Sequence, residues 1–158
     1  MNKRIAILGA TSHIAKGLIS NFAQNTECKL FLFARSHKCI EEFLKENSLK
    51  GDILIKGFKD FHSYEYDVII NCVGLGVPNK LKGKTDLIFQ LNEEFDNMVI
   101  SYLDKHPRSR YINFSSGAVY GNNFNDVQIF TRAVFGFGIN FSNTIVVLRF
   151  YIVYINFR

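Results

Sequence analysis

Apolar residues in this chain fall into short runs, and their spacing alternates between two kinds. Arg4–Leu8, Cys28–Ala34, Asp52–Lys56, Asp67–Val73, Arg110–Ser115 and Ile145–Ile155 are nearly continuous apolar segments of strand length. Continuous runs predict strands covered on both faces, as in a parallel sheet. The run Asp67–Val73 is too apolar for a sheet edge. Between the strands the spacing becomes helical. His13–Gln24 places Ile14, Leu18, Ile19 and Phe22 on one face, and a helix from Ser36 to about Asn47 carries Ile40, Phe43 and Leu44. Thr85–Lys105 repeats Leu87, Ile88, Leu91, Phe95, Met98, Val99 and Tyr102 at three- and four-residue steps. Strands alternating with helices predict an α/β fold, a doubly wound parallel sheet in one domain over residues 1–158.

The first strand ends abruptly at Gly9, and small residues lead into the first helix. A buried strand, a small-residue turn and a helix N-terminus together suit a pyrophosphate. Backbone N–H groups approach the phosphates, and the helix end adds partial positive charge. The Gly-x-x-Gly-x-x-Gly spacing falls on Gly9, Ser12 and Ala15. Alanine still allows close helix–strand packing, and the serine hydroxyl is able to donate to phosphate. Thr11, Ser12, His13, Ile14 and Ala15 are therefore candidate cofactor contacts. Arg35 follows the second strand, where an acid would hold the ribose 2′-OH of NAD and an arginine suits a 2′-phosphate. NADP is thus expected in preference to NAD.

Composition narrows the classes. Apolar residues make up 47% and charged residues 21%, which fits a folded globular chain. The net charge is +5, but the basic residues are scattered and are not interleaved with aromatics, so no nucleic-acid groove is expected. Cys28, Cys39 and Cys72 are odd in number and form no Cys-x-x-Cys, as befits a reducing, cytoplasmic compartment. Met1-Asn-Lys-Arg runs directly into a strand, so no signal peptide is expected. The apolar run Thr144–Phe157 is interrupted by Arg149 and is shorter than the roughly 20 residues of a membrane span. His13, His37, His62 and His106 are too dispersed for a metal site.

The segment Tyr111-Ile-Asn-Phe-Ser-Ser-Gly-Ala-Val-Tyr-Gly121 is more specific. Its Ser115, Ser116, Val119, Tyr120 and Gly121 resemble, position for position, the fifth-strand end of the extended short-chain dehydrogenase/reductase family, the NAD(P)-dependent nucleotide-sugar epimerases and dehydratases. Asn71-Cys-Val-Gly74 resembles the family's fourth-strand end beside the nicotinamide ribose, with Val73 and Gly74 at its close. Asn92 falls where the family places a structural or proton-relay asparagine, and Val146-Val-Leu-Arg149-Phe resembles its sixth strand. The resemblance implies a Rossmann-like, NAD(P)-binding fold. It makes Ser116 the serine that meets the reacting substrate hydroxyl or carbonyl, and a nucleotide sugar the substrate of an intact parent enzyme. It also suggests a homodimer through the helix of residues 85–105. Asp60 only partly resembles the family's adenine-side acid and reads as a loop residue.

The same resemblance exposes a gap. Family chemistry needs a Tyr-x-x-x-Lys helix after the serine, with tyrosine as general acid/base and lysine lowering its pKa. No Tyr-x-x-x-Lys occurs in the 158 residues, and Lys105 is the last lysine. The likeness is close over residues 1–121, the Phe-rich stretch 122–143 is atypical, and 144–158 reads as a sixth-strand remnant. The expectation is an incomplete, truncated or internally deleted domain that lacks the C-terminal substrate domain, holds a cofactor and does not turn over. The alternatives are a non-catalytic nucleotide-binding or dimerisation module, or a non-functional fragment. Without its missing parts, the Phe-rich end is expected to lower solubility.

Overall fold

The computed structural model describes residues 2–73, 85–115 and 144–148. The strands are β1 (Lys3–Leu8), β2 (Cys28–Phe33), β3 (Asp52–Lys56), β4 (Val68–Asn71), β5 (Arg110–Ser115) and β6 (Thr144–Leu148). The helices are α1 (His13–Phe22), α2 (His37–Glu46) and α3 (Thr85–Leu103). A 3₁₀ turn over Phe58–Ser63 is the one described element that the apolar spacing does not announce; six residues are too few to show a helical repeat.

All six strands are parallel, in the order β3-β2-β1-β4-β5-β6. This is the doubly wound, Rossmann-like order, which reverses between β1 and β4. The sheet has a different chemistry on each face. Ile5, Ile7, Leu30, Leu32 and Ile70 pack with Ala15 and Ile19 of α1 and Ile40 of α2. The alternate residues Ala6, Leu8, Phe31, Phe33, Ile69 and Tyr111 pack with Phe61 of the 3₁₀ turn and with Val99 and Tyr102 of α3. The period of two along each strand thus sends aliphatic side chains to the α1/α2 layer and most aromatic ones to the α3 layer.

The aromatic layer satisfies its own polar atoms. The Tyr66 backbone N–H donates to Tyr102 Oη at 2.7 Å, Tyr66 Oη donates to the Phe61 carbonyl at 2.7 Å, and Ser109 Oγ donates to the Tyr66 carbonyl at 2.6 Å. These bonds tie the C-terminal end of α3 to the turn that enters β4. At the amino edge of the sheet, Arg4 pairs with Glu65 at 2.9 Å and Asp67 at 3.7 Å. The ion pairs therefore lie at the opposite edge from the strand ends that form the candidate site.

Expected and observed element limits agree to two residues or better through β5. Residues 149–155 of the expected sixth strand lie outside the described residues, as does the Phe-rich stretch 122–143. One side chain departs from expectation. Ile14 is 50% exposed and is not part of the buried face of α1. It stands about a quarter turn from the stripe of Ala15, Leu18, Ile19 and Phe22 that meets the sheet.

Candidate dinucleotide site

The site is built where the strand order reverses, at the carboxyl ends of β1 and β4. Gly9 leaves β1 with φ +71°, a conformation that costs glycine little and other residues much. A Cβ there would stand 2.9 Å from the Cys72 carbonyl carbon and oxygen and from the Val73 nitrogen. Both the dihedral and the close approach require glycine. Ladder bonds continue past the strands, from Cys72 N–H to the Leu8 carbonyl at 2.9 Å and from Ala10 N–H to the Phe33 carbonyl at 3.0 Å. The turn is therefore pinned to both neighbouring strands.

Ser12 caps α1. Its Oγ accepts from Ala15 N–H at 3.2 Å, and its carbonyl accepts from Lys16 N–H at 3.0 Å. The serine at the second glycine position thus serves the helix through its oxygen, and the hydroxyl proton remains able to donate. His13 and Ile14 hold the first two helical positions, whose N–H groups have no acceptor within a helix. Thr11, His13 and Ile14 are exposed, and Ala15 is buried against the sheet. A glycine turn that admits no Cβ and a capped helix end with outward N–H groups suit a pyrophosphate.

Arg35 is exposed, two residues beyond the end of β2. Ser36 begins α2, but its hydroxyl donates to Cys39 Sγ at 3.2 Å and makes no backbone capping bond. Asp60 lies exposed in the first turn of the 3₁₀ segment. Gly74 and Ser116 lie outside the described residues, and of Asn92 and Ser115 only the backbone, in α3 and at the end of β5, is described.

Asn71 ends β4 and is buried. Its Oδ1 accepts from Val73 N–H at 3.0 Å, an Asx turn that closes the strand beside Gly9. Its Nδ2 donates to Tyr111 Oη at 3.1 Å, and Tyr111 Oη donates to Asp96 Oδ1 at 2.9 Å. Asn113 Nδ2 also approaches Asp96 Oδ1, at 3.4 Å. Burial pushes the Asp96 carboxyl above the usual carboxylate range, partly offset by the Tyr111 hydrogen bond. Burial, with the Asp96 charge beside it, pushes the Tyr111 phenol well above its usual range. Sequence reasoning picked out Asn71 but missed Asp96, Tyr111 and Asn113. Their signal was present as a carboxylate at the edge of the apolar stripe of α3 and as polar groups within a largely apolar strand.

Next to the site, the Cys72 thiol is pushed up to about 12 by burial. Among the described residues, no group of three or more His, Cys, Asp or Glu is placed to hold a metal. Among the same residues, no helix is long and apolar enough to cross a membrane.

Comparison with known proteins agrees with the fold. The model of the NAD dependent epimerase/dehydratase family matches residues 5–133. Among solved structures, the PbgP3 protein of Burkholderia pseudomallei is similar at 19% identity and TM-score 0.62, over 77% of this chain and 42% of that one. Pen from Bacillus thuringiensis is similar at 19% identity and TM-score 0.62, over 76% of this chain and 39% of that one. The UDP-Glc/GlcNAc 4-epimerase of Campylobacter jejuni is similar at 16% identity and TM-score 0.60, also over 76% and 39%. This chain thus spans about two-fifths of the length of those proteins, and at such identities the likeness concerns the fold. No curated protein sequence matches the chain. With its glycine turn at the reversal point and a family match over most of its length, the chain belongs to the NAD dependent epimerase/dehydratase family.

Proposed function

We propose that this domain binds NADP(H), with the pyrophosphate on the Gly9–Ala15 turn and the 2′-phosphate on Arg35. The observation that carries the reading is Gly9, at φ +71° against the Cys72–Val73 backbone at the reversal point. The residues present fit the group. Gly9 keeps the floor free of side chain, the N-terminus of α1 faces the phosphates, and exposed Ile14 offers an apolar surface beside them. The reading sets the nicotinamide ribose beside Asn71 and Val73, and takes Gly74, Asn92 and Ser115 as further contacts on the family resemblance alone. A bound nicotinamide supplies hydride transfer.

The substrate class of the reading is a nucleotide sugar, and Ser116 is the residue that would hydrogen-bond its reacting hydroxyl. Within these 158 residues no Tyr-x-x-x-Lys supplies the proton relay, so the chain alone binds the cofactor and does not turn over. The free thiols of Cys28, Cys39 and Cys72 are in keeping with a reducing, cytoplasmic setting. Titration by dinucleotide fluorescence checks the reading. NADPH is expected to bind more tightly than NADH, and Arg35→Ala to cost NADPH about tenfold or more while leaving NADH little changed. Equal affinity for the two in the native chain would overturn the NADP assignment, and turnover of a nucleotide sugar would overturn the catalytic part.

A second reading, a non-catalytic module that pairs through α3, draws on the length of that helix. Its outward residues Gln90, Glu93, Glu94, Asn97 and Ser101 are polar, so such a dimer would be held by hydrogen bonds and charge. Sedimentation at low and high salt distinguishes it from a monomer.

A further inference from the structure

We propose that Asp96 is a positioning residue for the dinucleotide crevice, acting through Tyr111 and Asn71 on the Val73 end of β4. The proposal rests on the cofactor-binding reading above. Asn71, Tyr111 and Asn113 sit at alternate positions of neighbouring strands and meet Asp96 of α3 on the aromatic side of the sheet. The bonds form a directed chain. An ionised Asp96 only accepts, so Tyr111 gives it the hydroxyl proton at 2.9 Å. With that proton committed, Tyr111 Oη accepts from Asn71 Nδ2 at 3.1 Å. The Asn71 amide is thereby oriented with Oδ1 toward Val73 N–H, which it holds at 3.0 Å.

Val73 is the last link. Its nitrogen is one of the three atoms that a Cβ on Gly9 would meet at 2.9 Å. The neighbouring Cys72 N–H bonds to the Leu8 carbonyl at 2.9 Å, so a displacement of this strand end is passed to the residue before the glycine turn. Without an acceptor at position 96, the Tyr111 proton turns to Asn71 Oδ1 and the amide rotates. Nδ2 then faces Val73 N–H, donor against donor, and the strand end moves off. The role of Asp96 is thus to fix the direction of three hydrogen bonds, and its own side chain need not reach the cofactor.

The experiment compares Asp96→Asn, Asp96→Leu and Tyr111→Phe in the full chain. Asparagine and leucine have similar shapes, but only asparagine keeps an accepting oxygen. Leucine at 96 and phenylalanine at 111 are expected to speed hydrogen exchange at the Val73 amide and to weaken NADPH binding about tenfold, while Asp96→Asn restores both to near the native values. Unchanged Val73 exchange in both disrupting variants overturns the relay, as does an asparagine variant that behaves like leucine. Faster exchange with native NADPH affinity overturns the link to the crevice. If the native chain binds no dinucleotide, the function proposed above fails, and the Val73 exchange comparison still decides whether the relay exists.

Discussion

Gly9 shows how one residue can be fixed by two independent demands. Its positive φ disfavours any side chain, and its Cα lies so close to the β4 backbone that a methyl group has no room. Gly9→Ala is expected to destabilise the domain by about 2–3 kcal/mol and to abolish dinucleotide binding, measured by urea unfolding and NADPH titration. A loss below about 1 kcal/mol would mean that the turn relaxes away from β4. The glycine was legible in the sequence because it interrupts an apolar run. The reason it must be glycine was not, because the colliding atoms are more than sixty positions away. The cysteines differ in the same residue-by-residue way. Cys39 is exposed, while Cys28 and Cys72 are buried and the Cys72 thiol is pushed up to about 12. A thiol reagent at neutral pH is expected to label Cys39 alone in the folded chain and all three thiols in urea, as mass spectrometry will show.

At the scale of elements, α3 and β5 share a half-buried carboxylate whose pKa is raised in the folded chain by desolvation. A raised carboxyl pKa means that the folded state binds the proton more tightly than the unfolded state does. Asp96 therefore adds stability as pH falls from neutrality through its folded pKa. That contribution is complete below the ordinary carboxylate value and is lost as pH rises through the folded pKa. Glu65 acts with the opposite sign, because the Arg4 hydrogen bond lowers its pKa, but it is exposed and screened. Comparing Asp96→Asn with the native chain isolates the first effect. The stability gap in favour of the asparagine variant should be widest near pH 7 and close toward about pH 4, read as Tm against pH. A gap independent of pH would show that Asp96 has the same pKa in both states. The elements themselves were legible because strand runs and helical spacing in this chain agree with the tertiary burial. The pairing of Asp96 with Tyr111 was not, since helical spacing says which face is buried but not which strand residue it meets. Ile14 failed for a related reason. The apolar pattern counted it as core, whereas it stands exposed in the first turn of α1.

At the scale of the whole molecule, six parallel strands bring Gly9, Ser12, Asn71 and Val73 to one edge of the sheet and leave the Arg4 ion pairs at the other. The two layers that cover the sheet differ in kind. Tyr66, Tyr102 and Tyr111 lie in the core on the α3 side, with Tyr64 packed against them, and the chain has no tryptophan. Among the described residues, every tyrosine is therefore on a single face. The near-ultraviolet signal of those residues watches the α3 layer and is blind to α1 and α2, while the far-ultraviolet signal follows all three helices. The four described tyrosines thus form a built-in spectroscopic label for one of the two layers. In a variant with Tyr120, Tyr151 and Tyr154 changed to phenylalanine, tyrosine and far-ultraviolet unfolding curves would superimpose if the layers melt together and part company if the layer beneath Asp96 opens first.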